Sequence, residues 1–225
     1  TERYSAWESV ARKLAHEIKN PLTPIQLSID RLQEKFHKQI VEGQDEFKNY
    51  LSTINRQIKD IENLVNEFSS FARMPSPIFK KIKVDPVVQR AVDFYKMFST
   101  NEIYLSSKNG KFINGDEEQL YRVFINLIKN SEDSIIEKKR KNKLFKGKIN
   151  IEINDNNDYI KISLVDNGTG IKDISKIMTP YFTTKIDGTG LGLPIVSKII
   201  NEHKGEMTIS NNNPGTKVII LFPKL

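Results

Sequence analysis

His16 is followed directly by Glu17, and Asn20 comes one helical turn later. A neutral imidazole is a good nucleophile, and its ordinary pKa of ~6.5 leaves it mostly neutral near pH 7. A neighbouring carboxylate can hold one ring N–H and leave the lone pair of the other nitrogen free to attack phosphorus. Leu14 and Ile18 flank the histidine on what reads as the apolar stripe of a helix. At ~100° per residue, His16 then lies roughly opposite that stripe and faces solvent, where a reagent reaches it. Pro21 and Pro24 each remove a helical hydrogen bond, to Glu17 and Asn20 respectively, so the helix tolerates kinking just past the histidine. Taken alone, His16 also suits an ordinary surface histidine beside a helix break. His37 reads as turn surface and His203 as a structural residue at a helix end.

Four further segments carry chemistry that suits a nucleotide. Asn126 and Asn130 lie four apart on an expected helix, so both amides share one face. An amide oxygen is a neutral hard ligand, suited to a magnesium ion that keeps several waters, and Lys129 beside it can reach phosphate oxygens. Asp166 follows a strand ending at Val165, where a carboxylate can accept a hydrogen bond from an adenine amino group. Gly168 and Gly170 would let the backbone approach a flat base closely, although Asp-Asn-Gly is equally turn chemistry. In Pro180-Tyr181-Phe182-Thr183-Thr184-Lys185 the aromatics could pack a lid, while the hydroxyls of Thr183 and Thr184 and the Lys185 ammonium could meet phosphate. Gly188-Thr189-Gly190-Leu191-Gly192-Leu193 opens a helix, and helix N-termini bind anions through free N–H groups and the dipole. Nothing in the chain supports a dinucleotide-binding reading of those glycines.

The elements that must position these groups fall into two regions. Trp7, Ala11, Leu14, Ile18, Ile25, Ile29, Leu32 and Phe36 recur mostly at steps of three and four; Phe47, Leu51, Ile54, Ile58, Ile61, Val65, Phe68 and Ala72 do so throughout. That spacing is the seam of a bundle helix, and the polar stretch 37–45 with Gly43 suits the turn between two helices. One antiparallel hairpin covers only part of each seam, so a homodimeric four-helix bundle is expected. Met74-Pro75-Ser76-Pro77 ends the second helix and marks the boundary between domains at 1–75 and 78–225. Beyond it, helical patterns near 86–98, 117–139 and 191–203 mix with strand alternation near 102–106, 148–154, 159–165, 206–210 and 217–222. The fold class is α+β, a helical hairpin followed by an α/β sandwich with helices covering a sheet.

Composition agrees with a folded chain and narrows the chemistry. Hydrophobic residues are 38% and charged residues 28% of 225, and there is no cysteine, which excludes disulfides, thiol catalysis and Cys-ligated metals. No apolar run approaches the ~18 residues of a membrane span. The net charge is +7, densest at Lys138-Lys139-Arg140-Lys141-Asn142-Lys143. Without interleaved aromatics that run reads as a solvated helix end and loop, so nucleic acid is not expected as a partner.

In this order and spacing, the four segments resemble the N, G1, F and G2 boxes of the catalytic ATP-binding domain (GHKL or Bergerat type) of sensor histidine kinases. His16-Glu17-Ile18-Lys19-Asn20-Pro21 resembles the H box of their dimerization and phosphoacceptor domain, and the run 11–28 looks most like the nitrogen-regulation NtrY type. The resemblance implies that His16 accepts phosphate from Mg-ATP, with Glu17 as general base, and passes it to a response regulator receiver domain. It implies Asn130 as the main magnesium ligand supported by Asn126, Lys129 near the phosphates, and Asp166 reading adenine. Gly168, Gly170, Gly188, Gly190 and Gly192 would line the nucleotide and shape the lid. Glu17 with Asn20 matches a Glu-x-x-Asn pattern for removing phosphate from the partner, the amide positioning a water. One departure is a short lid, with only Ile186 and Asp187 between Lys185 and Gly188. The resemblance implies a cytoplasmic fragment whose full-length protein is anchored in the inner membrane, so membrane contact would come only through other parts. Two rivals remain at this point: a gyrase- or Hsp90-like ATPase driving conformational change, and a non-catalytic scaffold that senses nucleotide. The ATPase rivals carry a glutamate that activates water where this chain has Asn126, and an amide cannot serve as that base.

Overall fold

The structure, a computed structural model, describes residues 2–72, 74–107, 112–156, 158–175, 177 and 192–225; for 2–12, 67 and 70–72 it describes the backbone alone. Two compact units divide between Pro75 and Ser76.

The first unit is a helical hairpin of α1 (Glu2–Phe36) and α2 (Gln44–Ala72). α1 runs unbroken through Pro21 and Pro24. A proline removes one N–H from a ladder that here has 35 residues to sustain it, and Ser28 Oγ donates to the Pro24 carbonyl at 2.8 Å. In the turn, Gly43 takes φ +76°, a left-handed conformation that glycine adopts without a Cβ penalty, and Gln44 Nε2 donates to His37 O at 2.7 Å.

The buried positions are Ala15, Leu22 and Ile29 on α1 and Leu51, Ile58 and Val65 on α2, with Phe47 packed against them. Each set repeats every seven residues, the period of a left-handed helix pair. Gln26 Nε2 donates to Asn55 Oδ1 at 2.9 Å across the pair and fixes its register. The single stripe expected from sequence therefore splits into two. Leu14, Ile18, Ile25 and Leu32 of α1 and Ile54, Ile61 and Leu64 of α2 remain 39–46% exposed, because one hairpin closes only one side of each seam. Trp7, Ala11 and Ala72, also in the expected stripes, have side chains outside the described residues.

The second unit comprises β1 (Lys80–Lys83), α3 (Val84–Lys96), β2 (Glu102–Ser107), β3 (Phe112–Gly115), α4 (Glu117–Lys141), β4 (Lys148–Asp155), β5 (Tyr159–Asp166), α5 (Gly192–Glu202), β6 (Glu206–Asn211) and β7 (Thr216–Pro223). A five-stranded sheet has the order β2-β4-β5-β7-β6, parallel between β2 and β4 and antiparallel elsewhere; β1 and β3 form a separate antiparallel pair. Strand alternation places Ile149, Ile151 and Ile153 of β4, and Val218, Ile220 and Phe222 of β7, on the buried face. The matching apolar stripes are Val84, Val88 and Ala91 on α3, Leu120, Phe124 and Ile128 on α4, and Ile195, Val196 and Ile199 on α5.

Asp116 ties the layer together. Its Oδ1 caps α4 by accepting from Gln119 N at 3.0 Å, its Oδ2 accepts from Ile78 N at 2.8 Å, and its own N–H donates to His203 Nε2 at 2.9 Å. No helix among the described residues is long and apolar enough to cross a membrane.

Candidate functional site

On β5 the residues Ile160, Ile162, Leu164 and Asp166 share one buried face. The period of two thus carries a carboxylate onto the core side of the sheet, at the last position of its strand. Asp166 is 3% exposed. Its Oδ1 accepts from Gly168 N at 2.9 Å and Thr216 N at 3.2 Å, and its Oδ2 accepts from Ser131 Oγ at 3.0 Å. Burial pushes its pKa above the ordinary 3.8; the Gly168, Ser131 and Thr216 donors and the Lys138 charge pull the other way and do not cancel it. A carboxylate already supplied with three donors is oriented, and it can take a further donor such as an exocyclic amino group.

The loop after Asp166 is bound on every side. Asn167 Oδ1 accepts from Lys148 N at 2.8 Å and its Nδ2 donates to Lys146 O at 3.0 Å, which joins it to the start of β4. From α4, Ser134 Oγ accepts from Thr169 N at 2.9 Å, and Lys138 Nζ donates to Asn167 O at 2.7 Å and Gly168 O at 3.0 Å. Lys138 also stands 4.5 Å from the centre of the Phe145 ring. From the β6–β7 hairpin, Asn211 Oδ1 accepts from Ile171 N at 2.7 Å, and its Nδ2 donates to Ile171 O at 2.8 Å.

One expectation changes accordingly, and another residue gains a packing role. Lys138, read as part of a solvated helix end, is a half-buried clamp on this loop. Gly168, read as making room for a base, is also needed for packing on α4, since a Cβ there would sit 2.3 Å from Ser134 Oγ and 2.8 Å from the Ser134 backbone. Gly215 is equally constrained: at φ +102° its Cβ would lie 1.9 Å from the Asp166 carbonyl oxygen. Ser131, Ser134, Lys138, Asn211, Gly215 and Thr216 were not singled out as site residues in the sequence. Ser134 and Lys138 do follow Asn130 at helical spacing, with Ser131 adjoining it, which is a readable signal; the three hairpin contacts depend on strand register, which is not.

Asn126 and Asn130 both lie on α4 and are half-buried, while Lys129 is exposed. Asn126 Nδ2 donates to Arg122 O at 2.8 Å, which fixes the amide plane. Its Oδ1 faces the first residue of α5, where a Cβ on Gly192 would come within 3.2 Å of it. The structure therefore brings Asn126 and Gly192 together. No group of three His, Asp or Glu side chains that could hold a metal ion occurs among the described residues. Amide oxygens suit a magnesium ion whose shell is completed by water and phosphate, and that chemistry fits Asn130 and Asn126. Thr183, Thr184, Lys185, Gly188, Thr189, Gly190 and Leu191 lie outside the described residues.

On α1, His16, Glu17 and Asn20 are all exposed. His16 sits one position, about 100°, from buried Ala15. It is not flanked by a closed stripe, since Leu14 and Ile18 are 42% and 40% exposed. Glu17 Oε1 is 3.9 Å from Lys13 Nζ, both largely exposed, a contact that contributes little energy.

Comparison with known proteins matches both units. The family model described as "His Kinase A (phospho-acceptor) domain" matches residues 6–77, and that described as "Histidine kinase-, DNA gyrase B-, and HSP90-like ATPase" matches residues 115–225. The chain belongs to the sensor histidine kinases. Among kinases of this family it is 40% identical over 222 residues to an NtrY-like sensor histidine kinase of Rickettsia felis, covering 97% of this chain and 36% of that protein. It is 37% identical over 220 residues to the nitrogen regulation protein NtrY of Azorhizobium caulinodans, covering 95% and 28% respectively. This histidine kinase chain thus spans about a third of the length of the curated relatives it matches. The solved histidine kinase ThkA, in complex with response regulator protein TrrA, superposes with a TM-score of 0.64 at 26% identity, covering 100% of this chain and 64% of that one.

Proposed function

We propose that this chain is a histidine kinase catalytic core that takes the γ-phosphoryl group of Mg-ATP onto His16 and passes it to an aspartate of a response regulator receiver domain. Residues 1–75 are the dimerization and phosphotransfer hairpin, and residues 78–225 the ATP-binding domain. The observation that carries this reading is the buried Asp166 carboxylate, oriented by three donors at the end of β5. A carboxylate held in that way selects a ligand that brings a hydrogen-bond donor, as the adenine amino group does. The solved ThkA complex with its response regulator supports the choice of partner.

In the transfer, a lone pair on one imidazole nitrogen of His16 attacks the γ-phosphorus, the bond to the ADP oxygen breaks, and the proton on the other ring nitrogen passes towards Glu17. Asn130, with Asn126, would hold the magnesium, which would neutralise phosphate charge when bound. Lys129, Thr183, Thr184, Lys185 and the glycines at 188, 190 and 192 serve the phosphate end. Asn20 positions water for removing phosphate from the partner. The partly exposed apolar side chains of Leu14, Ile18, Ile25, Leu32, Ile54, Ile61 and Leu64 support a homodimeric four-helix bundle, in which a second hairpin covers them.

The test is labelling with γ-radiolabelled ATP. Acid-labile label on the chain, absent from His16→Ala and from Asp166→Ala and discharged by a receiver domain, is the expected result. Phosphate release without any labelled histidine would instead mark a hydrolase and sink the kinase reading.

A further inference from the structure

α4 carries more than the two asparagines. At about 100° per residue, Ser131, Ser134 and Lys138 fall within an arc of roughly 60°, beside the stripe that holds Asn126 and Asn130. All three reach the loop that begins at Asp166. We propose that Lys138 and Ser134 are positioning residues for the nucleotide, holding two successive peptide planes of this loop so that Asp166 is presented to the base as an acceptor. The proposal rests on the reading of Asp166 as the base-recognising group.

The link runs through the peptide planes themselves. In a trans peptide the C=O and N–H point in opposite directions. The Asn167–Gly168 plane is held at its oxygen by Lys138 Nζ (2.7 Å) and at its nitrogen by Asp166 Oδ1 (2.9 Å). The Gly168–Thr169 plane is held at its oxygen by the same Lys138 Nζ (3.0 Å) and at its nitrogen by Ser134 Oγ (2.9 Å). One ammonium group thus fixes the direction of the N–H that orients Asp166, although it stays on the far side of the loop. Phe145 gives that ammonium an aromatic face. Without Lys138 the first plane loses its hold at the oxygen, and the Gly168 N–H, one of the three donors to Asp166, is aimed less firmly. Buried carboxylates short of donors favour the protonated form, which offers a proton instead of a lone pair. The consequence reaches selectivity: a 6-oxo purine such as guanine presents an acceptor where adenine presents a donor, so discrimination against it weakens.

Steady-state labelling of the whole chain with ATP, and with GTP as competitor, tests this. Lys138→Met is expected to raise KM for ATP roughly tenfold, with kcat at saturation within about twofold, and to narrow the ATP-to-GTP preference by a similar factor, the scale of one charge-assisted hydrogen bond. Lys138→Arg, which can still donate to both carbonyls, restores most of the loss. Ser134→Ala removes a single hydroxyl and shifts KM and preference in the same direction, so the result does not hang on one variant that could fold poorly. Lys141→Met, exposed in the last turn of α4, is the unaffected control. If Asp166→Ala loses ATP binding while Lys138→Met and Ser134→Ala keep KM and preference within twofold, the positioning role is wrong and the nucleotide reading stands. If Asp166→Ala binds ATP as the parent does, the base-recognition reading fails and this inference with it.

Discussion

A carboxylate on the apolar face of a strand is held between two opposing demands. Burial raises the pKa of Asp166, and the donors around it favour the anion. A group whose folded pKa is raised contributes stability below its ordinary value, here 3.8, and loses it as pH rises through the folded value. Above the folded value the ionised form therefore weighs against the fold and serves the ligand instead. Asp166→Asn keeps an oxygen for the Gly168 and Thr216 N–H groups and turns its NH2 to Ser131. Urea unfolding should show unliganded stability unchanged or increased, whereas calorimetric titration should show ATP affinity reduced at least tenfold; a destabilised variant with intact affinity would contradict this. His203 behaves in the opposite sense. It is buried, with Nδ1 donating to Ile199 O at 2.8 Å and Nε2 accepting from Asp116 N at 2.9 Å, and burial lowers its pKa from 6.5. A depressed histidine contributes stability above its ordinary pKa and loses it as pH falls towards the folded value, because the unfolded chain takes up the proton first. The melting temperature of the second unit should drop between pH 7.5 and 6. His203→Leu should flatten that slope and cost about 1–3 kcal/mol for the orphaned Asp116 N–H.

At the scale of elements, α4 is the member that joins the cap, the asparagines and the loop clamp in one rod. Its first turn depends on Asp116, so Asp116→Ala should cost about 0.5–2 kcal/mol in a denaturant titration of the chain, as lost helix caps do. A change in unfolding midpoint with an unchanged slope would show that the cap and not the compactness has altered. Long amphipathic helices and the strands with isoleucine at every second position were legible from sequence, because each repeats its signal over many residues. β1 and β3 have no counterpart among the expected strands: each has four residues, too few for alternation to show. Within the site, the asparagine pair and Asp166 stand out by residue type and local spacing. The Thr216 N–H reaching Asp166 does not, since it follows from the pairing of β5 with β7 across fifty residues. Gly215 reads as an ordinary hairpin glycine until the fold puts the Asp166 carbonyl against it.

For the whole molecule, the exposed seam of the hairpin is the feature that one chain leaves unsettled. Leu14, Ile18, Ile25, Leu32, Ile54, Ile61 and Leu64 each keep about two-fifths of their surface in water. At ~1.5–3 kcal/mol for a fully buried aliphatic side chain, covering the remainder on two hairpins yields on the order of 10 kcal/mol. Association costs ~4–15 kcal/mol in lost rigid-body freedom, so such a seam is large enough to hold a dimer and small enough to break by substitution. Ile25→Glu combined with Ile61→Glu places four carboxylates in the proposed four-helix core, two from each chain, where unpaired charge is strongly disfavoured. Sedimentation equilibrium at about 10 µM should find the parent chain as a dimer and the double variant as a monomer, with ATP affinity unchanged because Asp166 and α4 belong to the other unit. If the parent sediments as a monomer, the seam must be closed by something other than a second hairpin; if the variant remains a dimer, the interface lies elsewhere on the chain.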